Sequence, residues 1–196
     1  ANPEGQLMRP RVMFRAKKCI PTCQRCVDAC PHGAVHREDL SGLSSRLHFD
    51  RSLCDRCDGL ECTRACLNEA LKVAGRSISV DELMRVLQRD QGFWGSEGGV
   101  TFSGGEPLMQ PDFLLAMLRR CRESYIHTAV ETSAHAPTEL LLDVLRLTDW
   151  LFVDLKHMDA AAHRAETGVD NALILHNVEA AAAAHWDGRL IVRVPV

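Results

Sequence analysis

From residue 79 to the end of the chain, apolar positions switch repeatedly between a helical period and a strand period. Val80, Leu83, Val86 and Leu87 fall on one face of a helix over residues 79–89. Ser79 supplies its N-cap, and Glu82 completes a capping box. Residues 99–103 form a short β-rich run stopped by Gly104-Gly105. A helix over 111–122 then turns Phe113, Leu114, Met117, Leu118 and Cys121 inward. The unit of strand, loop and helix recurs: strands over 127–132, 150–155 and 190–194, helices over 137–146 and 172–185. Strands alternating with helices of this length predict an α/β fold, a parallel sheet with right-handed crossovers covered by helices on at least one side. Ligands in such folds sit at the carboxyl ends of the strands. Gly104 to Glu106, Glu131 to Ser133 and Asp154 to Lys156 all fall at predicted strand ends, which suggests one shared pocket.

Before residue 75 the pattern is different. Eight of the nine cysteines lie between Cys19 and Cys66, and the 130 residues after Cys66 hold only Cys121. Cys19, Cys23, Cys26 and Cys30 form C-x3-C-x2-C-x3-C followed by Pro31, and Cys54, Cys57, Cys62 and Cys66 form C-x2-C-x4-C-x3-C. These runs are close to the bacterial ferredoxin pattern, in which three cysteines of one run and the last of the other hold each cubane. That pattern places Cys19, Cys23, Cys26 and Cys66 on one cluster and Cys54, Cys57, Cys62 and Cys30 on the other. The departures are one extra residue after Cys19, two after Cys57, and Leu67 where proline is usual. The alternative is a pair of tetrahedral zinc sites, which C-x2-C and C-x3-C spacings also build. Cys121, on an apolar helix face, reads as a core thiol. His32 and His36 have an H-x3-H spacing but read as loop residues.

Composition narrows the function classes. A chain of 196 residues with 46% hydrophobic and 25% charged residues is ordinary for a globular protein, and no run of eighteen apolar residues suggests a membrane span. A formal charge of −3, without a Lys/Arg block interleaved with aromatics, argues against a nucleic-acid partner. Nine cysteines without a signal peptide argue for metal ligation in a cytoplasmic protein over a secreted disulfide framework.

At Val100-Thr101-Phe102-Ser103-Gly104-Gly105-Glu106-Pro107-Leu108-Met109-Gln110 the sequence resembles the radical S-adenosylmethionine (SAM) activating enzymes of pyruvate formate-lyase and related glycyl radical enzymes. The likeness continues through His127 to Ser133, Phe152 to Asp159 and Val192 to Val196, and with the cysteine runs it spans nearly the whole chain. The resemblance implies a partial (β/α) TIM-like barrel, truncated at both ends and carrying an inserted ferredoxin-like two-cluster domain. Residues 1–12 would be a remnant following the radical cysteine motif, 13–78 the insert and 79–196 the barrel. The radical-motif cysteines and first barrel strand would then lie upstream of Ala1, leaving no catalytic residue in this segment, and a further unit would follow its end. Cys19, Cys23 and Cys26 share the spacing of that motif, but no clear hydrophobic strand precedes them, which favours the insert.

The implied chemistry is reductive cleavage of SAM at a third [4Fe-4S] cluster, followed by hydrogen abstraction from a backbone glycine of a partner enzyme by the 5′-deoxyadenosyl radical. The two insert clusters would relay electrons from a flavodoxin or ferredoxin. By the same resemblance Gly104 and Gly105 let the backbone approach the methionine ammonium, with Glu106 adding acceptor oxygens. Glu131 with Thr132, and Asp154 with Leu155 and Lys156, would line the cosubstrate, sometimes with a monovalent cation. Arg193 would meet the methionine carboxylate, and Asn2 would sit near the cluster. Two competing readings are a plain two-cluster ferredoxin, which leaves the α/β stretch unexplained, and a radical SAM enzyme acting on a small molecule.

Overall fold

The computed structural model describes residues 10–40, 44–96 and 98–194; Asn2, Pro195 and Val196 lie outside them. The chain divides between residues 77 and 78 into two compact units.

The first unit is made of short elements: β1 (Arg11–Phe14), α1 (Arg25–Asp28), β2 (Val35–Leu40), β3 (Ser44–Phe49), α2 (Arg51–Cys54), α3 (Glu61–Arg64) and β4 (Leu71–Ala74). β1 pairs antiparallel with β4, and β2 with β3. Its core joins Val12, Val35, Leu47, Leu60 and Leu71 to the thiols of Cys26 and Cys62. Three expectations are corrected here. A strand does precede Cys19, since β1 ends at Phe14, but its antiparallel pairing differs from that of a barrel strand. Arg11 and Val12 belong to this strand and not to a preceding remnant, because Val12 is buried against the same core. His36 lies in β2, not in a loop.

The unit is built twice over. Asp50 N–H donates to the Ala34 carbonyl (2.8 Å), and Arg15 N–H to the Ala70 carbonyl (2.7 Å). Each donor lies four residues before the first cysteine of its run, and each acceptor four after the last cysteine of the other. Phe14 and Phe49, equivalent by this rule, meet with ring centroids 5.9 Å apart. The two cysteine runs therefore face each other as halves of one interleaved repeat.

The second unit opens with α4 (Val80–Asp90), where Ser79 and Glu82 form the expected reciprocal cap (Glu82 N–H to Ser79 Oγ, 3.2 Å; Ser79 N–H to Glu82 Oε2, 2.9 Å). There follow β5 (Val100–Phe102), α5 (Pro111–Glu123), β6 (Thr128–Thr132), α6 (Thr138–Leu145), β7 (Trp150–Asp154), α7 (Ala160–Thr167), α8 (Ala172–Ala183) and β8 (Arg189–Arg193). The four strands are parallel in the order β5-β6-β7-β8. Side chains alternate across them, so Val130, Leu151 and Val153 enter a core with Leu114, Leu118, Leu141, Leu145 and Ile174 from the helices. Each fully buried leucine there contributes on the order of 2 kcal/mol of transfer free energy. The register puts Ser103, Glu131, Phe152, Asp154 and Arg193 on the opposite face. Cys121 is fully buried beside Met84, Met117 and Ile126, and burial pushes its thiol up to about 11.

Candidate functional site

At the carboxyl ends of β5 to β8 the polar side chains form one connected ladder. Ser103 Oγ donates to Glu131 Oε2 (3.0 Å), and Arg193 bridges Glu131 Oε1 (3.0 Å) and Asp154 Oδ1 (2.6 Å). Lys156 Nζ holds the other Asp154 oxygen (2.8 Å), and the Arg193 guanidinium lies 5.3 Å from the centre of the Phe152 ring. Burial raises the Asp154 carboxyl, but the Arg193 and Lys156 hydrogen bonds outweigh it and hold the group below the usual aspartate value. Parallel register is what brings these residues together: Asp154 stands opposite Arg193, and Glu131 opposite Phe152. Two cations and two carboxylates, with Arg193 over an aromatic ring, are groups that can bind the charged ends of a zwitterionic ligand.

Behind this ladder lies a clamp that the sequence does not announce. Glu106 Oε1 accepts from Leu108 N–H (3.1 Å) and Thr132 Oγ1 (2.6 Å), and Oε2 from Ser133 N–H (2.9 Å) and Ser133 Oγ (2.7 Å). A carboxylate has about four acceptor positions, so all are occupied. Glu106 thus ties the loop after β5 to the loop after β6, instead of presenting free oxygens to a ligand. Thr132 is 4% exposed and its hydroxyl also accepts Ala134 N–H (2.9 Å), so it supports the loop from beneath. The Leu155 side chain is in the core, and its N–H is spent on the Arg193 carbonyl. Gly104 carries φ +117°, a conformation that favours glycine; Gly105 is exposed beside it.

Asn177 of α8, fully buried, completes the support. Its amide donates to the Ala134 (2.7 Å) and Ala136 (2.8 Å) carbonyls and accepts from Thr138 Oγ1 (2.7 Å). Asn177 and Ser103 were both missed on sequence, whereas Ser133 was marked as a strand-end residue but not as a partner of Glu106. Only a polar residue in the middle of the apolar face of α8 hinted at the first.

In the first unit, Cys19, Cys23, Cys26 and Cys66 line a common cavity of about 180 Å³, with Lys18, Arg25 and Arg37 at its wall. Cys30, Cys54 and Cys57 gather near Cys62, and burial together with its neighbours Cys54, Cys30, Cys26 and Cys57 pushes the Cys62 thiol up to about 11. Burial likewise raises Cys26 and Cys54. Backbone N–H groups reach sulfur in both nests, Ala34 to Cys30 (3.2 Å) and Leu71 to Cys66 (3.4 Å). An all-sulfur donor set around a cavity, with N–H donors aimed at the sulfurs, fits an iron–sulfur cubane. Among the described residues no three His, Cys, Asp or Glu side chains converge as a single metal ion would need.

A profile of the radical SAM superfamily matches residues 20–195. The 4-hydroxyphenylacetate decarboxylase activating enzyme of Clostridium scatologenes is 41% identical over 197 residues, covering 100% of this chain and 62% of that protein. The indoleacetate decarboxylase activating enzyme of Tractidigestivibacter scatoligenes is 39% identical over 199 residues (100% and 62%). The isethionate sulfite-lyase activating enzyme of Oleidesulfovibrio alaskensis is 37% identical over 199 residues (100% and 63%). The chain thus spans about three fifths of the length of the curated relatives it matches. A parallel α/β sheet with a polar rim at its carboxyl ends, and a profile match over nearly its full length, together establish that the chain belongs to the radical SAM superfamily.

Proposed function

We propose that the protein is an activating enzyme that cleaves SAM reductively and installs a glycyl radical on a partner enzyme. The observation that carries this reading is the ladder of Ser103, Glu131, Asp154, Lys156 and Arg193, at the carboxyl ends of the strands, which such folds use for ligands. On this reading the sheet is part of a (β/α) barrel. Glu131 and Asp154 orient the cosubstrate's polar groups, Arg193 and Lys156 balance their charge, and Gly104 and Gly105 let the backbone come close. Glu106, Thr132 and Leu155 hold the loops and act through them. Asn2 remains a candidate outside the described residues.

Residues 11–77 are proposed as a ferredoxin-like insert with two [4Fe-4S] clusters, one on Cys19, Cys23, Cys26 and Cys66, the other on Cys54, Cys57, Cys62 and Cys30. The interleaved repeat supports that partition over one cluster per run. When bound, such clusters supply one-electron transfer at low potential. The chain's own contribution is to bury the sulfurs, donate N–H groups to them and keep water from the cavity. A flavodoxin or ferredoxin is the proposed reductant, a third cluster is expected in the whole protein, and thiols kept free suit the cytoplasm. No helix among the described residues is long and apolar enough to cross a membrane. A relative at 41% identity activates 4-hydroxyphenylacetate decarboxylase. An arylacetate decarboxylase is therefore the first partner to test, and pyruvate formate-lyase, the type suggested by the sequence, the second.

The test is anaerobic incubation of the gene product with SAM, a reductant and 4-hydroxyphenylacetate decarboxylase, followed by electron paramagnetic resonance. The expected result is a glycyl radical doublet on the decarboxylase, with 5′-deoxyadenosine formed in step. SAM cleavage without a radical on that enzyme or on pyruvate formate-lyase would point instead to a small-molecule substrate.

A further inference from the structure

The two sulfur nests are equivalent in backbone but not in charge. In the nest of Cys19, Cys23, Cys26 and Cys66 the lining residues, among those described, include Lys18, Arg25 and Arg37 and no carboxylate, with Lys18 paired outward to Glu69 (3.5 Å). Arg37 reaches in from β2: its Nη2 donates to the Cys23 carbonyl and lies 3.8 Å from Cys19 Sγ. The residue that the internal repeat places opposite Arg37, seven positions after Cys66, is Val73.

At the other nest the charged group that reaches a sulfur is an acid. Glu61 Oε2 lies 3.7 Å from Cys57 Sγ, and Asp55 sits beside Cys54. Arg51 also faces Cys54 but is engaged with the Val12 carbonyl (3.0 Å) and the Phe49 ring (5.2 Å); Arg11 is paired with Asp55 (2.5 Å) and Arg64 with Glu61 (3.3 Å). Glycine at position 59 leaves the space for the Glu61 carboxylate, since a Cβ there would stand 1.8 Å from Glu61 Oε1.

A [4Fe-4S] cluster gains a negative charge on reduction, so a fixed cation beside its sulfurs favours the reduced state, and a carboxylate disfavours it. We propose that the two clusters are redox-inequivalent: Arg37 raises the potential of the one held by Cys19, Cys23, Cys26 and Cys66, Glu61 lowers that of the other, and a single electron resides on the first. The inference rests on the reading that both nests hold [4Fe-4S] clusters. Arg37 and Glu61 are positioning residues in this scheme; neither is a ligand.

The test is a redox titration followed by electron paramagnetic resonance, with dithionite and mediators, on the chain with iron and sulfide restored. The unaltered chain should show two separate one-electron midpoints, and Cys66→Ala should abolish the higher one. Arg37→Met should lower the higher midpoint by at least 59 mV, a tenfold change in the one-electron equilibrium, and leave the lower one in place. Arg37→Lys should retain most of the unaltered value. Glu61→Gln should raise the lower midpoint alone, which keeps the inference testable if Arg37→Met fails to hold its cluster. Coincident midpoints in the unaltered chain, or Glu61→Gln moving neither midpoint, would overturn it. So would Arg37→Met with its full iron content and unshifted potentials. Iron and sulfide analysis before titration separates these outcomes from failure of the cluster reading, which would appear as a chain without iron.

Discussion

Replacing Cys26 with alanine is expected to halve the iron and sulfide held by the chain. The more telling result comes from pairs. If Cys26 and Cys66 share one cluster, the double variant Cys26→Ala/Cys66→Ala loses no more iron than Cys26→Ala alone. Cys26→Ala combined with Cys62→Ala should lose nearly all of it. Pairing by run predicts the reverse for the first pair, with both clusters lost. The effect on folding should also be large, because Cys26 and Cys62 are each 5% exposed and share one small core cluster with the buried residues Val12, Val35, Leu47, Leu60 and Leu71. A unit of this size rarely holds itself together on apolar burial alone and needs a staple. Chelating the iron is therefore expected to expose the amides of residues 11–77 to hydrogen exchange while those of β6 and β7 stay protected. Iron analysis and exchange measured by mass spectrometry check both statements.

The second large effect is expected at Glu106. Glu106→Gln replaces one acceptor oxygen by an NH2 group that faces two donors, so two of the four hydrogen bonds to Leu108, Thr132 and Ser133 are lost. Hydrogen bonds to a charged group contribute roughly 1.5–3 kcal/mol each, and partial exposure here reduces the total loss to about 2–4 kcal/mol. The loops after β5 and β6 then lose their tie, and the spacing between Gly104 and Glu131 is no longer fixed. SAM binding, measured by equilibrium dialysis on the whole protein, should weaken at least tenfold, with the iron of the first unit unchanged. If Glu106 instead touched the ligand and did not hold the loops, binding would fall with no loss of thermal stability in the second unit.

Much of the parallel sheet was legible because each strand is a short β-branched or aromatic run ended by a turn or a polar pair, and each neighbouring helix carries its own apolar stripe. Strand ends agree with the predicted ones to within one residue at Phe102, Thr132, Asp154 and Arg193. Helix α7 was not anticipated: Ala-Ala-Ala-His-Arg-Ala-Glu-Thr has almost no apolar stripe. Its signals were at the ends, Asp159 accepting Ala162 N–H (2.8 Å) and Gly168 closing it at φ +88°. The strands of the first unit were hidden for a different reason. β1 to β4, at four to six residues, are no shorter than β5 to β8, but they lack a β-branched or aromatic run: β2 reads Val-His-Arg-Glu-Asp-Leu, mostly charged. No helix as long as those of the second unit lies between them to mark a repeating unit.

The ladder was half visible. Charged residues at strand ends marked Glu131, Asp154 and Lys156, but only the register reveals that Arg193 bridges the two carboxylates and that Ser103 joins them. The division of labour between rim and support was not visible at all. Thr132 and Glu131 are neighbours in sequence and point to opposite faces of the sheet, one into the clamp and one into the ladder.

The central claim is that eight thiols in two interleaved nests hold iron–sulfur cubanes. Metal and acid-labile sulfide analysis of the chain purified without oxygen, combined with Mössbauer spectroscopy, tests it most directly. The account predicts iron and sulfide in equal amounts, sufficient for two [4Fe-4S] clusters; zinc in place of iron, with no labile sulfide, would contradict it.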